Sequence, residues 1–294
     1  MEIFTDLNKN PNLSLALGFF DGVHLGHRAV IKSAVEFAHK NGNKSAVITF
    51  SDHPCCYFWG VCPKYILTRK QREKKIEELG VDYLYELDFE SIAGLTAQEY
   101  LKDILVNHFT PLSISTGWNH NFGSKKTGNV KFLHDNSKKY GYEYFEMCPE
   151  KLNKDIISST TIRKLLSNGE IGKANLMLGY NFQVDGVVVK GNQIGRTIGF
   201  KTANIVYPPE LIELPYGVYS VGTNYGKGIA NFGMRPTING SFAVLEVHIL
   251  DFDNDIYGKE ITVNFNKMIR TEKKFSSLDA LKEQIKKDIY LINA

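Results

Sequence analysis

At 294 residues and 43% hydrophobic content the chain is long for one domain and holds enough apolar material for a core in each of two. Its 35 basic and 32 acidic residues leave a formal net charge of +3, too balanced to announce nucleic-acid or membrane binding from net charge alone, and leave small anionic ligands open. The cysteines Cys55, Cys56, Cys62 and Cys148 fit neither paired zinc spacing nor a disulfide framework, MEIFTDLNKN lacks the pattern of a leader, and no long apolar run occurs, so reduced thiols, a cytoplasmic location and no membrane span are expected.

Along the first half, short apolar runs alternate with helical patterns. LSLALGF (13 to 19) is strand-like, Gly26 to His39 carries Ala29, Val30, Ala34, Val35 and Ala38 at helical spacing, Asn41 and Gly42 stop it, and KSAVITF (44 to 50) is strand-like again. Thr68 caps a helix in TRKQREKKIEELG that Gly80 stops, and its RKQREKK face is expected to be solvated rather than an RNA patch. Thr96 and Glu99 stand at capping-box spacing, and SIST (113 to 116) and EYFEMC (143 to 148) supply further strands. Such alternation implies a parallel sheet covered by helices on both faces.

Beyond residue 180 the runs QVDGVVVKG, GVYSVGTNYGKGIANFG, FAVLEVHILDF and ITVNFNKMI, rich in β-branched and aromatic residues, are separated by glycine-bearing turns. This half is expected to be all-β, closed by a helix that Ser276 and Asp279 cap, with Leu278, Leu281, Ile285 and Ile289 on one face. The domain boundary is placed between Leu178 and Val184, giving domains 1–180 and 181–294.

GFFDGVHLGH (18 to 27) occupies the first strand-to-helix turn, where an open α/β sheet cradles phosphates. Gly22 and Gly26 permit close backbone approach, and the helix start offers N–H groups and partial positive charge to an anion. His24 and His27 there can donate to phosphate oxygens and to charge developing on a leaving group. Asp21 either orients the turn or satisfies its backbone.

This stretch resembles the nucleotide-binding signature of the nucleotidyltransferase superfamily, and ISSTTIR (157 to 163) its second phosphate-binding motif. Over residues 14 to 290 the chain is similar to the bacterial bifunctional riboflavin kinase/FAD synthetase family. The resemblance implies a Rossmann-like α/β nucleotidyltransferase domain followed by a six-stranded-type riboflavin kinase β-barrel with a C-terminal helix. The implied substrates and products are riboflavin, FMN, FAD and ATP, with Mg²⁺ as the divalent metal and no nucleic acid or membrane; a monomer or weak homo-oligomer is expected.

For the first domain it implies FMN adenylyl transfer, with His24 and His27 on the triphosphate and Gly18, Phe20, Asp21, Gly26, Ser158, Ser159, Thr160 and Arg163 in the nucleotide site. GWNHNFG (117 to 123) matches a third family element through Asn119, Phe122 and Gly123, with His120 where an aromatic is usual. FSDHP carries Asp52 in place of a proline, and His53 either lines the site or is a loop histidine. For the second domain, VVKGNQIGRTIGFKTANI (188 to 205) implies Gly191, Gly195, Arg196 and Gly199 over the nucleotide and Thr202 and Asn204 on the metal. Glu246 is the implied general base, Tyr257 and Arg270 flavin contacts beside Gly258, and Lys201 replaces the family's proline. A synthetase with an inactive kinase domain and a flavin-sensing regulator are the competing readings.

Overall fold

The computed structural model describes residues 1–7, 10–191, 199–237 and 240–293. The chain forms two compact units, Met1–Ser159 and Thr160–Ala294.

The first unit is built on six parallel strands in the order β1-β4-β3-β2-β5-β8. These are β1 (Glu2–Phe4), β2 (Leu13–Leu17), β3 (Lys44–Phe50), β4 (Tyr83–Leu87), β5 (Ser113–Gly117) and β8 (Glu143–Met147). The central β2 is buried at every residue, as a parallel strand covered on both faces must be. Leu13, Leu15 and Leu17 join Ile48, Tyr85, Leu101, Leu105 and Ile114 in the main core, and the intervening Ser14 and Ala16 turn to the opposite face. There α1 (Leu25–Asn41) packs with Val30, Ile31, Ala34, Val35 and Ala38 buried, and its Ser33 Oγ accepts from Ser115 Oγ on β5 at 3.1 Å.

Both expected caps form, and each proves to be a capping box. Thr68 opens α3 (Arg69–Glu77) with Gln71 as its partner, and Thr96 opens α4 (Ala97–Glu99) with Glu99. The run from α4 continues through a π-helical segment, Tyr100–Val106, into α5 (Asn107–Phe109). The short β1 and the β4 strand YLYEL form no part of the sequence expectation; both gain definition by pairing, β4 with Phe4 and Phe50 as flanking partners. Smaller elements are α2 (Pro54–Trp59), β6 (Asn121–Phe122), β7 (Gly128–Asn129), α6 (Val130–Tyr140), β9 (Lys151–Leu152) and β10 (Asp155–Ile156).

In the second unit, α7 (Ser159–Ser167, its first residue closing the first unit) and α8 (Ile171–Leu178) precede an antiparallel sheet ordered β11-β16-β13-β14-β15-β12. The strands are β11 (Gln183–Val187), β12 (Ala203–Val206), β13 (Gly217–Thr223), β14 (Gly226–Thr237), β15 (Gly240–Ile249) and β16 (Glu260–Thr271). The chain beyond β11 reaches back to β12, where Val189 N donates to Asn204 O at 2.8 Å, so the two sheet edges meet and the expected barrel nearly closes. Asn175 of α8 donates to Phe265 O and accepts from Phe182 N, both at 2.8 Å, fixing that helix to β16.

Three expectations need correction. The final helix, α9 (Leu278–Asn293), is capped by Ser277, whose Oγ accepts from Ala280 N at 3.2 Å, and not by Ser276. Leu278, expected on the inward face, is 56% exposed, whereas Asp288 is only 1% exposed and binds Arg270. Nor are all four cysteines reduced: Cys56 and Cys62 form a disulfide across six residues, while Cys55 and Cys148 are free. Lastly, RKQREKK is not wholly solvated, since Gln71 and Arg72 are buried. Among the described residues no helix is long and apolar enough to cross a membrane.

Candidate active sites

The strand order reverses between β2 and β5, so the crevice of the first unit opens at the carboxyl end of β2. Gly18 ends that strand beneath the Phe20 ring; a Cβ on it would stand 2.9 Å from ring carbons. The turn then takes left-handed backbone at Phe20 (φ 59°), Gly22 (φ 84°) and Val23 (φ 33°), which for a β-branched residue costs about 1–3 kcal/mol. The surroundings hold it there. The buried Asp21 carboxylate accepts from Ile66 N at 3.0 Å and Leu67 N at 3.5 Å, Thr49 Oγ1 donates to Phe19 O at 3.0 Å, and Ser159 Oγ donates to Asp21 O at 2.8 Å. Asp21 thus orients the turn by satisfying backbone outside it.

His24, 5% exposed, caps α1: its Nδ1 accepts from His27 N at 3.3 Å. In the neutral ring that bond leaves the proton on Nε2, which makes His24 a donor away from the helix. The two imidazoles stack at 3.6 Å, and His27 meets the edge of Phe20 at 5.3 Å. Gly26 leaves room for the pair, as a Cβ there would lie 3.3 Å from His24 Cε1. Ser158 and Ser159 stand at the start of α7, with Ser159 tied to Asp21; Thr160 and Arg163 follow on the same helix within the second unit.

Asn119 is exposed in the turn after β5, on the same edge of the sheet as the histidine turn. His120 beside it is half-buried and stacks on Phe122 at 5.7 Å, and desolvation pushes its pKa down to about 4. His53 is a capping residue: its Nδ1 accepts from Cys55 N at 3.1 Å at the start of α2, and its ring meets Phe19 edge-on at 4.8 Å.

A buried charge group behind this turn had no clear sequence signal. Arg72, 4% exposed, donates to Glu86 Oε1 at 2.7 Å and to Phe50 O at 2.9 Å, and its guanidinium lies 4.7 Å from the Phe19 ring centre. Arg69 donates to the other Glu86 oxygen at 2.6 Å. The only hint was a glutamate inside the apolar strand YLYEL. A second missed feature is the aromatic group Tyr57, Phe58 and Trp59 on α2, 50 to 75% exposed, with Tyr57 and Phe58 rings within 6 Å of Phe89.

In the second unit Asn204 and Glu246 are direct partners in the β12–β15 register, and Glu246 also opposes Asn231 of β14. Directly opposed residues project to one face, so the three polar groups share it. Asn204 is buried, and Gly191 lies so close that a Cβ would come within 2.5 Å of its Oδ1; the glycine lets the loop backbone rest on the amide. Thr202 and Asn204 line one pocket with Val188, Lys201, Asp253 and Tyr257. Lys201 pairs with Asp253 at 2.8 Å, while its carbonyl accepts from His248 Nδ1 at 2.8 Å. Gly199 has left-handed backbone (φ 88°); Gly195 and Arg196 lie outside the described residues. Arg270 grips Asp288 with Nε 3.0 and 3.1 Å from the two carboxylate oxygens, and Tyr257 and Gly258 lie on the loop before β16.

Comparison with known proteins decides between these arrangements. Residues 6–161 match the FAD synthetase family and residues 178–294 the riboflavin kinase family. The chain belongs to the bifunctional riboflavin kinase/FMN adenylyltransferase family. Its relative of that name from Haemophilus influenzae is 38% identical over 94% of this chain and 92% of its own, and one from Listeria monocytogenes is 36% identical over 97% and 91%. A crystal structure from Streptococcus pneumoniae described as a macrolide-efflux protein is 33% identical, covers 100% of this chain and 99% of its own, and superposes with a TM-score of 0.90.

Proposed function

We propose that the chain converts riboflavin to FMN in its second domain, 181–294, and FMN to FAD in its first, 1–180, using ATP for each. Family membership carries the two activities, and the single observation that carries the assignment of sites is the pair of separate phosphate-type cradles just described. The resemblance counts α7 with the first domain, and Ser159 at its start touches the turn through the Asp21 carbonyl.

In adenylyl transfer an FMN phosphate oxygen bonds to the α-phosphorus of ATP as the bond to pyrophosphate breaks. His24 donates from Nε2, and His27 from its stacked ring, to the triphosphate and the departing oxygens; neither forms a covalent bond. Gly18, Phe20 and Gly26 shape the turn, Asn119 faces the nucleotide from β5, and Ser158, Thr160 and Arg163 hold outer phosphates. The exposed aromatics of α2, set edge to face, offer apolar ring surface to the isoalloxazine ring.

In the kinase reaction Glu246 takes the proton of the riboflavin 5′-hydroxyl as that oxygen bonds to the γ-phosphorus and ADP departs. Thr202 hydroxyl and Asn204 amide oxygens are hard donors beside a loop packed on Asn204, a set that fits Mg²⁺ held partly by substrate phosphates. When bound, the ion neutralises phosphate charge. Gly191, Gly195, Gly199 and Arg196 cover the nucleotide, Lys201 adds a cation at the pocket mouth, and Tyr257 and Arg270 serve the flavin side. A monomer or weak homo-oligomer in the cytoplasm, free of nucleic acid, completes the proposal.

The test is chromatographic separation of riboflavin, FMN and FAD after incubation with ATP and Mg²⁺. Both products are expected in sequence. FAD formed only from supplied FMN, with kinase activity appearing in Lys201→Pro, would reduce the chain to a synthetase.

A further inference from the structure

We propose that Cys56 and Cys62 are a reversible thiol–disulfide site that sets the order of the 53–66 loop and, through it, adenylyl transfer; the second clause rests on the function proposed above. No residue of α2 is buried, so packing does little to hold this helix in place. Beside the His53 cap and the contacts of Tyr57 and Phe58 with Phe89, it is held by the bond from Cys56 to Cys62 and by Tyr65, whose hydroxyl accepts from His53 N at 3.3 Å and lies 3.6 Å from Cys56 Sγ.

Both roots of the closed loop reach the histidine turn. His53 meets Phe19 at 4.8 Å and Tyr65 meets the same ring at 6.0 Å. Immediately after Tyr65, Ile66 N and Leu67 N hold the Asp21 carboxylate. Opening the bond therefore loosens the segment that braces Phe19 and Asp21 from outside, and frees Tyr57, Phe58 and Trp59 to lose their common surface. The second unit contributes nothing to this loop's covalent closure, so the kinase reaction is unaffected.

The chemistry is accessible. Cys62 is exposed and Cys56 half-buried, so a thiolate of a small dithiol reductant attacks Cys62 Sγ, the Sγ–Sγ bond breaks, and Cys56 leaves as thiolate and takes a proton. The reductant's second thiol then displaces Cys62 from the mixed disulfide. The protein gains two electrons and two protons, and the dithiol becomes a disulfide. A carboxylate oxygen of Asp52 lies within 4.8 Å of both sulfurs, and its negative charge opposes a lasting pair of thiolates there.

The test uses the full chain equilibrated with reduced and oxidised dithiothreitol, under EDTA for the labelling steps. Oxidised protein is expected to take two maleimide labels, on Cys55 and Cys148, and reduced protein four. On reduction, hydrogen exchange across residues 53–66 should rise, and the KM for FMN in FAD formation should rise severalfold, with FMN formation from riboflavin unchanged. Cys62→Ser should behave as reduced protein at every redox poise, and Cys148→Ser as wild type. Four labels on oxidised protein, or identical exchange in both states, would overturn the proposal. So would stoichiometric Co²⁺ binding by reduced protein with a sulfur-to-metal absorption band lost in Cys62→Ser, which would make Asp52, Cys56 and Cys62 a metal site. Absence of FAD in both states would instead sink the reaction assigned to the turn, while labelling and exchange still decide the bond.

Discussion

Asn204 and Glu246 oppose each other across β12 and β15, putting an amide and a carboxylate side by side on one face of the kinase barrel. The register, not the sequence distance, makes them one site. Glu246→Gln keeps the shape and one acceptor oxygen but removes the proposed base. FMN formation should fall about 10²-fold or more, and FAD formation from supplied FMN should be unchanged in the same preparation. Equal loss of both activities would show that the residue is structural.

His24 has two jobs that separate by substitution. Its Nδ1 caps α1 and the proposed function gives its Nε2 to the triphosphate, so His24→Ala should lose FAD synthesis and about 1 kcal/mol of stability. His24→Asn restores a cap oxygen without the donor ring. Thermal unfolding close to wild type together with absent FAD synthesis is the expected result; restored activity would leave capping as its only task.

Arg72 ties Phe19 to Glu86 behind the turn. Arg72→Ala leaves a buried carboxylate with only Arg69, and should cost about 3 kcal/mol, read as a fall in the urea midpoint. Arg72→Met with Glu86→Leu should recover most of that stability, since no buried charge is left unpaired. FAD synthesis should stay impaired in the double variant, because Phe19 loses its cationic neighbour.

His120 should make the fold acid-sensitive. Its folded pKa of about 4 lies below the ordinary histidine value, so between about 6.5 and 4 the unfolded chain binds the proton and the folded chain does not. Stability must fall as pH drops through that window. His120→Phe should remove this part of the loss, about 1 to 2 kcal/mol between pH 7 and pH 5. Denaturant midpoints at the two pH values, wild type against variant, measure it; parallel loss in both would place the acid sensitivity elsewhere.

Local pattern by itself determined much here. Strand and helix limits such as Lys44–Phe50, the caps at Thr68 and Thr96, the change to β structure past residue 180, and the composition of the histidine turn follow from short-range periodicity and from hydrogen bonds three residues long. Tertiary structure decided the rest, because each case joins groups far apart in the chain. Pairing turned YLYEL into a core strand, buried Arg72 on a helix that reads as solvated, and buried Asp288 against Arg270. It also set Glu246 against Asn204 and closed Cys56 on Cys62. A buried charge or a sulfur pair is defined by its partner, and no window of sequence contains that partner's position in space.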